Sequence, residues 1–373
     1  MITGGPGTGK TTLIRAIITA AEQNGLEPAL MAPTGRAAKR LAISSGRDAD
    51  TIHKALEASV RETGRTYFER NEANPLEEDL IIVDEASMLD ISLFYHLLCA
   101  LKDGARLILV GDIDQLPPVG AGEPLKDLMS WGYVPIVRLK RIFRQEEGSG
   151  IVENAALIRK GEMCVPDEAG EFRIVYAADD EDAYRIVMDL CRELNYGNEE
   201  NKMLLQVLSP MYRGVCGVDH LNESLQEMIH GEKVPDGMKF FPGDKVMQTR
   251  NDYEKGIYNG DVGTVWTATP QKVFVRYFDK EVVYEGEERF DLRLAYAVTV
   301  HKSQGSEYET VIFILRPSQH NMLQRNLLYT GVTRARKNTI LVTAPDALRR
   351  ALAIQHTGNR YSLFLPFLNH EAL

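Results

Sequence analysis

The chain has 373 residues, of which 44% are hydrophobic and 26% charged, a composition typical of a soluble globular protein with room for two domains. The net charge of −10 argues against a protein that holds nucleic acid by overall electrostatic attraction, although it leaves room for a local basic groove. The four cysteines are scattered, and neither a signal peptide nor an apolar run of about eighteen residues is present; the sequence therefore predicts a cytoplasmic protein without a membrane span, a zinc site or a disulfide framework.

Residues 4–12 read GGPGTGKTT and contain the full phosphate-loop pattern, with four residues between Gly4 and Gly9 and then Lys10 and Thr11. Glycines let consecutive backbone N–H groups point at an anion, and the helix that follows adds the positive end of its dipole. Lys10 would reach the β and γ phosphates, and Thr11 would offer its hydroxyl to Mg²⁺. The alternative, a glycine-rich turn before a helix, is disfavoured because residues 13–21 have helical periodicity, as the motif requires.

Only three residues precede this loop, whereas a phosphate loop normally follows a buried parallel strand of about five residues. We therefore expect a fragment whose first strand is cut short and whose original start lies upstream. The alternative is a natural start with a very short strand.

Next in the chain, residues 27–33 predict a short buried strand, and Thr34 opens a helix with Arg36 inside its first turn. This arrangement suits the phosphate of a polymer, but a capped helix with a solvated basic face explains it equally well. Thr51 begins another helix, in which an isolated His53 is more often structural than functional. Residues 59–72 then predict a β-hairpin with a tight turn at Thr63, in an insertion that spans residues 59–78; a plain surface loop is the alternative.

Two buried strands follow, and each ends in polar residues. Residues 80–83 read LIIV and are followed by Asp84 and Glu85, which suits Asp84 to bind Mg²⁺ through water and Glu85 to polarise an attacking water. Helix capping is the usual role of such a pair, but the upstream phosphate loop favours the catalytic interpretation. The strand at residues 106–110 places Gln115 where its amide could contact the γ phosphate.

The composition changes after a domain boundary that we place near residues 133–137. Residues 138–144 and 325–337 are locally basic and suit an anionic partner. Short alternating runs separated by turn residues predict a small antiparallel β module at residues 243–292, inserted into an α/β domain. The α/β elements predicted in this half are helices at residues 151–159 and 182–194 and strands at residues 204–209, 310–315 and 339–343.

Taken together, the chain resembles the superfamily 1 DNA helicases, and among them the RecD-like, 5′-to-3′ branch. Ordered motifs carry this resemblance over nearly the whole length: GGPGTGKTT, APTGRAAKRL, TIHKAL, IIVDEASMLD, LVGDIDQLPPVGAG, RIFRQ, AVTVHKSQGSEYE and LLYTGVTRARK. One such motif is weak evidence, whereas eight in the family's order are highly specific.

The resemblance implies an α/β fold with two RecA-like domains, residues 1–137 and 138–373, and ATP with Mg²⁺ in the cleft between them. It matches Lys10 and Thr11 to phosphate and metal contacts, Asp84 and Glu85 to the metal and water-activating pair, and Gln115 to a γ-phosphate sensor. Arg144 and Arg334 match arginines of the second domain. The nucleotide site then comprises Gly5, Gly7, Thr8, Gly9, Lys10, Thr11, Thr12, Asp84, Gln115, Arg144, Gly305 and Arg334.

For the nucleic acid, the resemblance implies single-stranded DNA and duplex junctions as partners. The hairpin resembles the family's pin, which splits the duplex, and the module at residues 243–292 resembles the β-barrel insertion that helps enclose the strand. The residues matched to strand contacts or couplers are Thr34, Arg36, Thr51, His53, His301, Lys302, Ser303 and Gln304.

The leading hypothesis is an ATP-dependent helicase that translocates 5′ to 3′ on single-stranded DNA in repair or recombination. A second is a DNA-dependent ATPase that moves along a strand without separating a duplex. A third is the helicase portion of a relaxase or of a helicase–nuclease complex, with further domains or subunits as partners. The resemblance implies a monomeric motor.

Overall fold

The structure is a computed structural model that describes residues 1–60, 66–141, 149–235, 237–252, 254–278, 280–355 and 364–369. The chain divides into two units, of which the first comprises residues 1–146 and 357–373 and the second residues 147–356. In the described ranges, no helix has the length and apolar character needed to cross a bilayer.

The first unit alternates strands and helices from its start. Its elements are β1 (Ile2–Gly4), α1 (Lys10–Gln23), β2 (Pro28–Ala32), α2 (Gly35–Ser45), β3 (Asp50–Thr51), α3 (Ile52–Ala55), β4 (Ala58–Val60), β5 (Thr66–Phe68), β6 (Leu80–Val83), α4 (Ile91–Cys99), β7 (Arg106–Gly111), α5 (Pro124–Trp131) and β8 (Val137–Leu139). The helix α12 (Phe364–Leu368) also belongs to this unit.

A parallel sheet organises the first unit, in the order β3-β2-β6-β7-β1-β8. The strand β6 is an unbroken apolar run because both of its faces are covered: Ile81 and Val83 pack on one side, and Leu80 and Ile82 on the other. Since the strands are parallel, the carboxyl ends of β1, β6 and β7 meet at one edge of the sheet. The predicted hairpin lies outside this sheet, where β4 and β5 pair antiparallel, while its turn at residues 61–65 falls outside the described residues.

The second unit contains a parallel and an antiparallel sheet. Its elements are α6 (Gly150–Lys160), β9 (Phe172–Tyr176), α7 (Asp180–Glu193), α8 (Glu199–Leu204), β10 (Leu205–Ser209), α9 (Val218–His230), β11 (Lys245–Gln248), β12 (Val262–Ala268), β13 (Lys272–Arg276), β14 (Glu281–Glu285), β15 (Leu292–Leu294), β16 (Ala297–Thr299), β17 (Tyr308–Leu315), α10 (Arg325–Val332), β18 (Ala335–Thr343) and α11 (Pro345–Ala353).

The parallel sheet of the second unit has the order β16-β10-β17-β18-β9. Its central strands carry continuous apolar runs, and Ile312, Ile314 and Val342 are buried against α7 and α9 in one core. The sequence did not single out β9, α8 or α9, because their apolar residues are interrupted by charges. These elements become stable by packing against the sheet rather than through local propensity.

The antiparallel sheet has the order β14-β13-β12-β11-β15 and encloses a core of its own. Gly260, at φ 100°, makes the turn before β12 in a conformation that a side chain disfavours. A register shift at Trp266 leaves this residue outside the regular pairing with β13.

Buried polar contacts join this sheet to the α/β part of the unit. Lys245 is 1% exposed and donates to the carbonyl oxygens of Lys202 (2.7 Å) and Leu205 (3.1 Å) and to Gln206 Oε1 (2.9 Å). The neighbouring carboxylate of Asp244 accepts from the hydroxyl of Tyr296 at 2.9 Å. Because these groups are withdrawn from water, each contact would leave an unsatisfied buried partner if it were broken, so the sheet is firmly attached.

Candidate functional site

The phosphate loop connects β1 to α1 in a conformation that strongly favours glycine at two positions. Gly7 and Gly9 have φ values of 72° and 82°. Gly4 is needed for a different reason: a Cβ there would lie 2.7 Å from Thr8 Oγ1 and 2.9 Å from the Leu139 carbonyl oxygen. The motif glycines therefore allow the loop to turn tightly at the amino end of α1, where an anion is favoured.

Within this loop, Lys10 and Thr8 contact backbone carbonyls. Lys10 Nζ donates to the carbonyl oxygens of Gly4 and Gly5 at 2.7 and 2.9 Å, and Thr8 Oγ1 donates to Gly5 at 2.8 Å. The Lys10 ammonium is thus held over the loop by neutral acceptors, from which it can transfer to a phosphate. Thr11, in the first turn of α1, is partly exposed and Thr12 is exposed.

Asp84 and Glu85 follow β6 at the same edge of the sheet. The Asp84 N–H continues the sheet by donating to the Met31 carbonyl at 2.9 Å, and the Glu85 N–H donates to Asp84 Oδ1 at 2.9 Å. Glu85 has φ 51°, an uncommon conformation for a residue with a side chain, which is found preferentially at functional sites.

The ionised form of Asp84 is destabilised at this edge of the sheet. Burial and the neighbouring negative charge of Glu85 raise the pKa of Asp84 to about 6, although the Glu85 N–H and the positive charges of Lys10 and Arg40 act in the opposite direction. The positive charge of Lys10 therefore acts favourably on the ionised carboxylate of Asp84. An added cation would relieve the repulsion between the two acids.

Gln115 follows β7 and is 6% exposed. Its Oε1 atom is buried without a hydrogen-bond partner among the residues that the structure describes. A buried amide oxygen that lacks a partner costs free energy, so this side chain is suited to a further group brought in by a ligand.

These residues fit a nucleoside triphosphate with Mg²⁺. The fit rests on the loop at the helix start, the Lys10 ammonium, the repelled carboxylate of Asp84 and the unsatisfied Gln115. Among the described residues no cluster of three or more His, Cys, Asp or Glu side chains could hold a metal ion. Mg²⁺ at nucleotide sites takes most of its ligands from water and substrate phosphates, beside one or two protein groups, which here would be Thr11 and Asp84.

In the second unit, Arg334 joins α10 to β18 and is 3% exposed. Its guanidinium donates from Nε to the Thr330 carbonyl and from Nη1 to the Ser306 carbonyl, both at 3.1 Å. The tertiary structure therefore brings Arg334 into contact with Ser306, the residue after Gly305, and Gly305 has φ 74°. Arg144, the other predicted arginine, lies outside the described residues.

The predicted strand contacts of the first unit have structural partners. Thr34 and Thr51 cap α2 and α3 with their hydroxyls, which accept from the N–H groups of Ala37 and Lys54 at 3.3 and 3.1 Å. The His53 ring lies 6.0 Å from the ring of Phe68 on β5, and burial lowers the pKa of His53. Thus His53 packs against the hairpin, while Arg36 is partly exposed on α2.

The predicted contacts at residues 301–304 differ in accessibility. Ser303 is fully buried and donates to the Val300 carbonyl at 2.7 Å, and Gln304 is 6% exposed. His301 and Lys302 are partly exposed, and burial lowers the pKa of both. The two exposed side chains can reach a ligand directly, whereas Ser303 stabilises the turn that presents them.

Sequence reasoning did not assign Arg40 or Ser87 to the site. Arg40 on α2 acts on the pKa of Asp84, and Ser87 Oγ is buried without a hydrogen-bond partner in the described part of the chain. Arg40 could have been found from the sequence, because it belongs to the basic segment at the start of α2. No sequence pattern identifies Ser87, because its burial depends on the close approach of Gly111. A Cβ at Gly111 would lie 3.0 Å from the Ser87 nitrogen.

Three known protein families match three different parts of the chain. The AAA domain family matches residues 1–121, and the UvrD-like helicase C-terminal domain family matches residues 294–342. The ATP-dependent RecD-like DNA helicase SH3 domain family matches residues 221–277, which include most of α9 and the strands β11, β12 and β13 of the antiparallel sheet.

Similar curated proteins cover nearly the whole chain. The ATP-dependent RecD2 DNA helicase of Deinococcus radiodurans is 39% identical over 367 residues, which are 97% of this chain and 49% of the relative. The RecBCD enzyme subunit RecD of Mycolicibacterium smegmatis is 34% identical over 406 residues, with coverage of 97% and 72%. The chain belongs to the RecD-like family of superfamily 1 helicases. This RecD-like chain spans about half the length of the Deinococcus relative.

Solved structures of Pif1 helicases share the fold of this RecD-like chain. A Bacteroides Pif1 in complex with ADP-AlF3 and single-stranded DNA has a TM-score of 0.58 at 21% identity, covering 99% of this chain and 92% of that one. A Candida albicans Pif1 has a TM-score of 0.57 at 20% identity, with coverage of 95% and 93%. The predicted family and the predicted α/β fold with parallel sheets are therefore confirmed.

Proposed function

We propose that this RecD-like chain is an ATP-dependent DNA helicase that translocates 5′ to 3′ on single-stranded DNA and separates duplex at a junction, in repair or recombination. The carrying observation is the edge of the first sheet, where the Lys10 ammonium acts on the repelled Asp84 carboxylate and where the neighbouring strand β7 leads to Gln115, whose Oε1 atom has no partner among the described residues. The named activity of the Deinococcus relative supports this proposal.

In the proposed reaction, the loop N–H groups and Lys10 bind the phosphates and Glu85 orients the attacking water. Thr11 and Asp84 would hold Mg²⁺, which supplies charge neutralisation at the phosphates. Gln115 contacts the γ phosphate or its water. Arg334 offers a planar, permanently charged donor fork to the charge that develops on the transferred phosphoryl group.

Our proposal is that the two units correspond to RecA-like domains, for which the sequence predicted the bounds 1–137 and 138–373. Because β8 (Val137–Leu139) pairs with β1 in the first sheet, we assign β8 to the first domain together with the rest of the first unit. The antiparallel sheet serves as the strand-enclosing insertion, and β4 and β5 serve as the base of the duplex-splitting pin. Thr34, Thr51 and His53 then position the strand-binding segments, while Arg36, His301 and Lys302 contact the strand. The Mycolicibacterium relative is named as a subunit of a larger enzyme, and partner subunits are a corresponding proposal for this chain.

The first experiment measures phosphate release from ATP with and without a single-stranded oligonucleotide, using Lys10→Ala as the control. We expect strong stimulation by the oligonucleotide and none in the variant, because Lys10 provides the charge that binds the phosphates. Its side chain contacts only loop carbonyls in the described structure, so circular dichroism of the variant should match the parent. A variant that hydrolyses ATP at the parent rate would exclude this site.

The second experiment separates a helicase from an ATPase that moves without unwinding. Residues 59–67 are replaced by a short glycine linker, which keeps Phe68 because that side chain is 8% exposed and packs in the core. We expect displacement of a 5′-tailed duplex to be lost while oligonucleotide-stimulated ATP hydrolysis persists. Unwinding that survives the replacement refutes the role of the hairpin, and unwinding of 3′-tailed substrates alone refutes the polarity.

A further inference from the structure

Arg334 is buried within the second unit, so its place depends on the residues packed around it. Its side chain donates to the carbonyl oxygens of Thr330 and Ser306. Its own carbonyl oxygen accepts a hydrogen bond from the Tyr308 N–H at 2.9 Å. The backbone of Arg334 is therefore attached to the first residue of β17, and a displacement of Tyr308 would displace the arginine.

The pairing of β17 with β18 is irregular beside this arginine. The register of the two strands shifts between Tyr308 and Thr310, so that two residues of β18 face the single residue Glu309. Such a bulge bends a strand and redirects its side chains, and bulges are common next to functional sites. Because the regular ladder is interrupted just after Arg334, the contact with Tyr308 has particular weight in setting the direction of this residue.

The Tyr308 ring is buried beside an ammonium group that belongs to the antiparallel sheet. Tyr308 is 4% exposed, and Lys245 Nζ on β11 lies 5.7 Å from the centre of its ring. The same ammonium lies 5.5 Å from the centre of the Tyr196 ring. A cation within about 6 Å of a ring centre is attracted to the ring, and the attraction is larger where both groups are withdrawn from water. The Tyr308 ring is thus attracted to the charge of Lys245.

Lys245 is itself held firmly by three acceptors. Its ammonium donates to the carbonyl oxygens of Lys202 and Leu205 and to Gln206 Oε1. Gln206 is fully buried, and its amide donates to the Tyr296 carbonyl at 2.8 Å. Breaking any of these hydrogen bonds would leave a buried polar group without a partner, which costs free energy. The ammonium can therefore serve as a fixed point for the Tyr308 ring.

We propose that Tyr308 is a positioning residue for Arg334: Lys245 fixes the Tyr308 ring, and the Tyr308 backbone fixes that of Arg334. The inference rests on the proposed function, in which Arg334 stabilises the charge on the transferred phosphoryl group. Tyr308 and Lys245 act only through the arginine and do not touch the nucleotide. These contacts lie inside the second unit, and they make the geometry of the reaction depend on how the antiparallel sheet is attached.

The test measures kcat and KM for ATP hydrolysis by the full chain at a saturating concentration of a single-stranded oligonucleotide. Tyr308→Leu removes the ring, and we expect kcat to fall about 10- to 100-fold, because a displacement of about 1 Å at a catalytic group has effects of this size. KM should stay within about twofold, since Arg334 acts on charge that develops in the transition state. Tyr308→Phe keeps the ring beside the ammonium, so its kcat should stay within about threefold of the parent.

Lys245→Met removes the charge from the other side of the same contact and keeps a long side chain. We expect kcat to fall about 3- to 30-fold with KM unchanged. Urea unfolding shows which variants are folded in the assay, and Lys245→Met carries the test if Tyr308→Leu does not fold.

Phe172→Leu is the matched control. Phe172 is a fully buried aromatic residue on β9 of the same parallel sheet, and it lies opposite Thr339, beyond the bulge in β18. Its substitution should lower the urea midpoint, as Tyr308→Leu does, because both remove buried ring atoms. The kcat of this control should stay within about twofold of the parent, since Phe172 lies away from the bulge that follows Arg334.

Combination with Arg334→Ala separates positioning from a general structural effect. If Tyr308 acts through Arg334, Tyr308→Leu should lower the kcat of the Arg334→Ala variant by no more than about twofold. A residue with a merely structural role would lower kcat by the same factor whether or not the arginine is present.

The outcomes separate the two proposals. Tyr308→Leu with the parent kcat, or with an equal loss in both backgrounds, refutes the inference and leaves the proposed function standing. A loss of kcat in Phe172→Leu as large as that in Tyr308→Leu also refutes it, since the effect would then follow stability alone. If Arg334→Ala hydrolyses ATP at the parent rate, the role of the arginine and the inference both fail. A parent chain that hydrolyses no ATP with the oligonucleotide refutes both proposals.

Discussion

Replacing Asp84 with asparagine should stabilise the ligand-free protein. The pKa of this carboxyl is raised from 3.8 to about 6, chiefly by burial and the charge of Glu85. A difference of about two pKa units corresponds to about 3 kcal/mol at neutral pH, because each unit contributes about 1.4 kcal/mol. Solvent that reaches the partly exposed side chain reduces this value, so we expect a gain of about 1 to 3 kcal/mol. The amide oxygen that the substitution introduces can still accept from the Glu85 N–H, as the carboxylate does.

The sign of the pH dependence follows from the protonation of Asp84 in the folded and in the unfolded chain. Below about pH 4 the carboxyl is protonated in both folded and unfolded chains, so the substitution changes little. As pH rises towards 6, the unfolded chain loses this proton first, and the stability of the parent falls. The advantage of Asp84→Asn should therefore be complete at pH 7.5 and about half as large at pH 5.

Tryptophan fluorescence can report on the unfolding of the first unit, which contains Asp84. Trp131 lies in the first unit and Trp266 in the second, so urea unfolding of a Trp266→Phe background follows the unit that contains Asp84. Asp79→Asn is the matched control, because it places the same change at the other end of β6. There the Lys102 ammonium and the Glu27 N–H lower the pKa of the carboxyl, so the control should gain no stability at pH 7.5. An Asp84→Asn variant without a gain, or with an equal gain at both pH values, refutes the reasoning.

Three further substitutions, one of them paired with a control, test the second unit. Arg334→Ala should preserve binding of a fluorescent ATP analogue better than it preserves hydrolysis, and hydrolysis at the parent rate would show that this arginine does not serve the reaction. Gly331→Ala should lower the free energy of unfolding by about 1 to 3 kcal/mol, measured in urea, because the new Cβ would overlap the Phe313 ring. Lys245→Met should cost about 1 to 3 kcal/mol by leaving buried acceptors unpaired, whereas Lys272→Met, at a half-exposed position of the same sheet, should cost less than about 0.5 kcal/mol.

Much of the geometry of the candidate nucleotide site follows from the sequence, because its residues occupy short, ordered segments. The phosphate loop depends on glycines at fixed spacing, and β6 is an apolar run that needs no partner to be recognised. Parallel strands place their carboxyl ends at one edge, so the proximity of Lys10 and Asp84 followed from the pattern. The hydroxyls of Thr34 and Thr51 show the limit of this reasoning, since the same sequence signal suits a helix cap and a ligand contact.

A cavity of about 740 Å³ lies in the second unit between α9, the antiparallel sheet and residues 297–302. It could not be predicted, because its walls come from distant parts of the chain. Tyr212 precedes α9, Lys239 precedes β11, and Arg293 lies on β15. Each residue taken alone is an ordinary surface cation or aromatic side chain. Their convergence depends on the pairing of β15 with β11 and on the attachment of the antiparallel sheet through Lys245.

The sequence by itself indicated the family, through the resemblance of its ordered motifs, and the alternation of strands and helices, through apolar periodicity. The spacing of the phosphate loop also predicted candidate residues for binding a triphosphate. Only the tertiary structure decided the order of the strands, the contact between Arg334 and Ser306, the burial of Ser303 and the cavity beneath the antiparallel sheet. The physical reason is that strand order and burial depend on contacts between residues far apart in the chain, which are selected by the fit of whole surfaces and leave no signal at any one position.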